Sequence, residues 1–307
     1  MTLKKMMFVL VVALFFAPNT NIASAAETTD VFLNNQKLTF EDAKPFIEDG
    51  RVLLPIRSVQ ESMGAEMKWN PVTDQVYSVK QKASEQTSVL YSIDSTFVYK
   101  KHSTNQGASQ YLEKIDVPAM IKGGRTYIPL RSAIETFGFK VTWDPTEKNV
   151  YMQPQASIKP KSSETQYRVD GDISKVKEIE KEIFHLTNQQ RIKNGLKPLI
   201  LDVQTTKIAQ LKSKDFHENN YFDHQSPTYG SPFEMMKQFG IDYAYAGENI
   251  AAGYQSAKAV VQGWMKSPGH RENILKPEYK RLGVGYYEGT RAYRTYYTQI
   301  FMTKMEE

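Results

Sequence analysis

Four of the chain's five histidines lie beyond residue 175, and two of them sit where a side chain has no core to fill. His224 occupies Phe222-Asp223-His224-Gln225-Ser226-Pro227, and His270 occupies Ser267-Pro268-Gly269-His270-Arg271-Glu272. Glu248 follows Gly247 in a third segment of loop-like composition, Gly247-Glu248-Asn249-Ile250-Ala251. Neutral imidazole and carboxylate are the usual non-thiolate ligands of zinc, so the three together would suit a divalent ion. They equally suit a hydrogen-bonded His–Glu pair that ties loops to each other. Spacing alone leaves both open, because the chain has no His-Glu-x-x-His run and no serine in a nucleophile elbow. It has no cysteine either, which excludes disulfides, thiolate metal sites and a cysteine nucleophile. His185, beside Leu186, and His217, near a helix end, read as packing or capping residues.

The elements that must position these groups are helical first. Val176, Ile179, Ile183 and Leu186 recur at three and four residues, predicting a helix that stops at Gly195. A second helix follows Asp202 as N-cap, a third spans 231–239 before Gly240, and a fourth spans 256–265 and is broken by Ser267-Pro268-Gly269. Residues 282–287 and 293–302 read as a terminal β-hairpin. Helices followed by a hairpin predict an α+β layered domain over residues 175–307.

The first half is a duplication. Gly50-Arg51-Val52-Leu53-Leu54-Pro55-Ile56-Arg57-Ser58 recurs 74 residues later as Gly124-Arg125-Thr126-Tyr127-Ile128-Pro129-Leu130-Arg131-Ser132. The offset holds for Gly64/Gly138, Trp69/Trp143, Pro71/Pro145 and Tyr77/Tyr151. Each copy reads as strand, helix capped by Ser58 or Ser132, glycine stop, and a strand carrying the tryptophan. Arg57 and Arg131 are expected to pin the repeat through charge-assisted hydrogen bonds. Residues 155–174 are polar and read as a linker, so 30–154 and 175–307 are expected to fold independently. Residues 1–25 combine Lys4 and Lys5, an apolar run from Met6 to Ala17 and Ala23-Ser24-Ala25. Twelve apolar residues reach about 18 Å, short of a bilayer core of about 30 Å, which predicts a cleaved export signal rather than an anchor. The expected location is outside the cell, in association with the wall. The net charge is +5, or +3 without Lys4 and Lys5, and is too dispersed to argue for nucleic acid.

Two resemblances follow from these motifs. The duplicated Gly-Arg…Pro-x-Arg…Trp-x-Pro pattern over 30–154 resembles the copper amine oxidase N-terminal-like (stalk) module. His102 is the only histidine there, so no copper is expected. Residues 176–303 carry Asn188-Gln189-Gln190-Arg191, Phe222-Asp223-His224, Gly247-Glu248-Asn249, His270-Arg271-Glu272-Asn273-Ile274-Leu275 and Gly283-Val284-Gly285, and resemble the bacterial branch of the CAP (SCP, PR-1-like) superfamily. The implied fold is α+β: a duplicated α+β stalk module followed by a CAP-type α-β-α sandwich. The resemblance implies a cleft lined by His224, Glu248 and His270, able to hold a divalent metal such as zinc in some members. The fourth acidic position of the family is Ser267 here, and Glu272 is the available substitute. The family has no shared catalytic reaction, so the implied role is a binding module for a cell-wall polymer, another extracellular protein or a lipid. A metal-assisted hydrolase, with Glu248 or Glu272 as general base, is the alternative. Asn249 and Asn273 are expected to brace loops.

Overall fold

A computed structural model describes residues 29–155 and 165–306. The expected export signal and residues 156–164 of the expected linker lie outside the described residues.

The duplication produces a local two-fold axis. Strand Arg51–Pro55 pairs antiparallel with Arg125–Pro129, and the central pair, Leu54 with Ile128, joins equivalent residues of the two copies. Phe46–Glu48 and Met120–Lys122, also 74 residues apart, complete a four-stranded sheet. The helices Ile56–Ser62 and Leu130–Glu135 begin earlier than expected, with Pro55 and Pro129 rather than Ser58 and Ser132 as N-caps. Proline's fixed φ holds the extended residue before the first turn, so no capping side chain is used. Gly64 and Gly138 end the helices at φ +77° and +85°, where a side chain would be strained.

Arg57 and Arg131 do not pin the repeat. Both are exposed, and Arg131 reaches only Glu135 in its own helix. The symmetric ion pairs are instead Arg51–Asp116 at 2.6 Å and Arg125–Asp42 at 3.2 Å, each joining one copy to the other. All four side chains are half-exposed or more, so these pairs contribute at most about 1 kcal/mol each. The cohesion is apolar: Leu54, Val59, Ile128 and Ile134 are completely buried in one cluster.

The last part of the expected linker is a strand. Gln166–Asp170 pairs antiparallel with Gly107–Lys114 and parallel with Ile200–Asp202, so a single ten-stranded sheet runs from Glu66–Asn70 to Tyr245–Ala252. Tyr167 and Val169 alternate inward between polar neighbours, a two-residue hydrophobic signal too brief to stand out in a polar stretch. Their core is shared: Phe97 and Leu112 of the first half pack in one cluster with Tyr167, Ile183 and Phe184. Lys114 pairs with Glu182 at 2.5 Å, and Ser95 donates to Glu178 at 2.9 Å.

The C-terminal half is an α-β-α sandwich. Leu282, Val284, Tyr297 and Phe301 face helices Glu178–Lys193 and Ala257–Lys266. On the opposite face, Ile300 and Met302 pack with Ile208 and Ala209 of helix Val203–Glu218. Gly283 and Gly285 let that helix approach closely, because a Cβ at either would collide with its backbone at Thr205 or Ala209. Tyr167→Ala should cost about 3 kcal/mol in denaturant unfolding of the full chain, as expected for a core aromatic. A cost under about 0.5 kcal/mol, normal for a linker position, would contradict the continuous core.

Candidate functional site

Glu248 lies on the edge strand Tyr245–Ala252, directly opposite Ile300, and therefore faces helix Val203–Glu218. Its segment was expected to be a loop on the strength of Gly247. That glycine is required by packing instead, since a Cβ there would collide with the Tyr279 hydroxyl, which donates to the Ala246 carbonyl at 2.9 Å. The His270 segment also differs from expectation: Pro268–Leu275 is a helix of its own, started by proline in its first turn. Of the three residues, only His224 stands on a loop.

Asparagines hold strand and helix together. Asn273 donates to the Glu248 carbonyl at 3.1 Å and to Asn249 Oδ1 at 3.0 Å. Asn249 in turn donates to the His270 carbonyl and to Gln299, both at 3.1 Å. The His224 loop is held by Asp215, which accepts from Tyr221, Ser226, Thr228 and Asn219, each at 2.6 Å. Burial pushes the Asp215 carboxyl up, but these four donors outweigh it and leave it below the ordinary carboxylate range.

His224 Nδ1 lies 2.6 Å from Glu248 Oε1. A carboxylate only accepts, so Nδ1 carries the proton. The imidazole is half-exposed while the Glu248 side chain is only 3% exposed. The second carboxylate oxygen is buried with no hydrogen-bond partner, and the nearby positive charge is Lys212. Lys212 is itself 1% exposed, donates to the His224 carbonyl at 2.7 Å, and lies over the Phe216 and Tyr221 rings. Burial lowers its pKa, while Glu248, Asp215 and Asp223 oppose that shift.

The two imidazoles are driven apart. The hydrogen bond to Glu248 raises the His224 pKa against the opposing effect of burial. Burial and then the charge of His224 lower that of His270. A raised His224 pKa adds stability that is complete below the unfolded-state value and lost as pH rises through the folded-state value. The depressed His270 acts oppositely: its contribution holds above the unfolded-state value and is lost as pH falls through the folded-state one. Between the two folded-state values His224 is an acid beside a neutral His270.

Glu272 is exposed on the His270 helix. Ser267, in the family's fourth acidic position, is the N-cap of that helix. Among the described residues, no three His, Asp or Glu side chains converge to hold a metal ion, so the set as placed does not fit a metal centre. Sequence reasoning missed Lys212 and Asp215. Their signal was a lysine and an aspartate in register with Ile208, Ala209 and Phe216 on the buried face of one helix.

The profile of the copper amine oxidase N-terminal domain matches residues 32–152 and 106–195, and that of the cysteine-rich secretory protein (CAP) family matches 184–301. The Bacillus subtilis (strain 168) protein YkwD, described as uncharacterized, is 48% identical over 159 residues, covering 52% of this chain and 60% of YkwD. The membrane protein YlbC of the same organism, also described as uncharacterized, is 38% identical over 162 residues, covering 49% of this chain and 44% of YlbC. The chain thus spans less than two thirds of the length of these curated relatives. Among solved structures, an extracellular SCP-domain protein from Bacillus anthracis str. Ames is 25% identical with a TM-score of 0.38, covering 74% of this chain and 88% of that one.

Lys212→Met should destabilise the chain by about 3 kcal/mol in denaturant unfolding, because it leaves buried carboxylates without their cation. Lys214→Met, exposed on the same helix, should stay within about 0.5 kcal/mol. Equal effects of the two would contradict the role given to Lys212.

Proposed function

Because this chain belongs to the copper amine oxidase N-terminal domain and CAP families, we propose that it is a non-catalytic binding module working outside the cell, in association with the wall. The observation that carries this reading is the His224–Glu248 hydrogen bond at 2.6 Å. It orients the Nδ1–H of a half-exposed imidazole, and burial together with the charge of His224 favours a neutral His270. A protonated and a neutral imidazole offer a donor and an acceptor to a polar ligand group. No helix among the described residues is long and apolar enough to cross a membrane. The sequence of residues 1–25 supports export.

The hydrolase alternative has less support. A general base must reach the proton it removes. Glu248 is buried with one oxygen committed to His224, and Glu272 stands exposed on its helix. Two imidazoles without a third converging ligand also make any zinc affinity micromolar or weaker, dependent on both His224 and His270, and fading as pH falls and the rings protonate. The first half carries no copper role in this reading. It is a platform joined to the cleft domain through the shared sheet.

The purified chain should be retained on isolated cell walls and show no turnover of casein, peptidoglycan or simple esters above a His224→Ala/Glu248→Ala control, with or without added zinc. Turnover that the control lacks would overturn the binding reading and promote the hydrolase. Equal wall retention by the chain and the control would remove the cleft from binding.

A further inference from the structure

Two positions before His224, Phe222 is 40% exposed, and across from it Tyr293, at the tip of the terminal hairpin, is 52% exposed. Their rings lie 5.8 Å apart at 47°. Each has a buried aromatic behind it. Phe216, wholly buried, lies 5.3 Å from Phe222, and Tyr296, 2% exposed, meets Tyr293 edge-on at 6.2 Å. The two outer rings are thus held in place before anything binds, and little side-chain freedom remains to be lost.

The surroundings are polar. Asp223, Gln225 and Arg291 are exposed close by in the sequence, and Arg291 is anchored to the Glu218 carbonyl at 3.4 Å. In the C-terminal half, the large exposed hydrophobic side chains are Phe222, Phe233, Phe239, Tyr245, Tyr293 and Met305, with no leucine, isoleucine or valine among them. An amphipathic surface that dips into lipid carries aliphatic side chains as well as rings. Half-exposed rings with exposed hydrogen-bonding side chains next to them in the sequence match a sugar, which offers a flat face of C–H bonds edged by hydroxyls.

We propose that Phe222 and Tyr293 form a stacking platform for a pyranose unit of a polysaccharide, with Asp223, Gln225 and Arg291 available to its hydroxyls. The platform is separate from the His224–Glu248 pair and does not require that pair to bind anything. A β-1,4-linked chain fits it best, because all-equatorial substituents leave both faces of each ring open for stacking.

The test is calorimetric titration of the full chain with a soluble β-1,4-linked N-acetylglucosamine tetramer. Binding should weaken at least about tenfold in Tyr293→Ala, and stay within about threefold in Tyr293→Phe and in Tyr245→Ala, an exposed aromatic elsewhere. Should Tyr293→Ala fail to fold, the unaltered chain still decides, because the Tyr293 ring resonances must shift as the tetramer is added. No heat and no ring shift at millimolar tetramer would overturn the proposal. So would undiminished affinity in folded Tyr293→Ala, or binding to phosphatidylcholine vesicles that Tyr293→Ala abolishes.

Discussion

A carboxylate buried on the edge strand of a sheet is the constraint around which the C-terminal half is arranged. Removing the Glu248 charge from water costs several kcal/mol unless it is met by opposite charge and hydrogen bonds. His224 supplies the hydrogen bond and Lys212 the charge. Both demands propagate. For Lys212 to arrive from helix Val203–Glu218, the helix must lie close on the sheet, and Gly283 and Gly285 make that approach possible. For His224 to arrive from a loop, the loop must be fixed, and the four donors on Asp215 fix it.

The same logic places the His270 helix. Glu248 faces one helical layer while its neighbour Asn249, pointing the other way, receives the His270 helix from the opposite layer. At the edge of the sheet, alternate side chains of one strand reach both outer layers, and one side of the strand is free of a neighbour. The far edge of the continuous sheet belongs to the duplicated module. Strand Gln166–Asp170 joins that module to the C-terminal half through the sheet, and Asp170 adds an ion pair to Arg281 beside Asp202.

Much of this was legible in the sequence. The duplication announced its own symmetry, and the helix N-cap Asp202 stood where capping chemistry placed it. The family motifs singled out His224, Glu248 and His270, of which the first two meet in a hydrogen bond. What failed did so for physical reasons. Gly247 looked like a turn signal but is a packing glycine beneath Tyr279, and Ser267-Pro268 looked like a break but starts a helix. Two alternating residues, Tyr167 and Val169, carried the whole signal of the strand that joins the halves. Lys212 was hidden because a charged residue at a core helical position gains meaning only once its counter-charges are placed.

The buried Glu248 carboxylate raises the His224 imidazole pKa, while burial and then the His224 charge lower that of His270. Titrating the His224 and His270 ring resonances by NMR, in the unaltered chain and in Glu248→Gln, tests it most directly. His224 should titrate above the ordinary imidazole value and His270 below it, with His224 falling back in Glu248→Gln. Two rings titrating together near the ordinary value, unchanged by the substitution, would contradict the account.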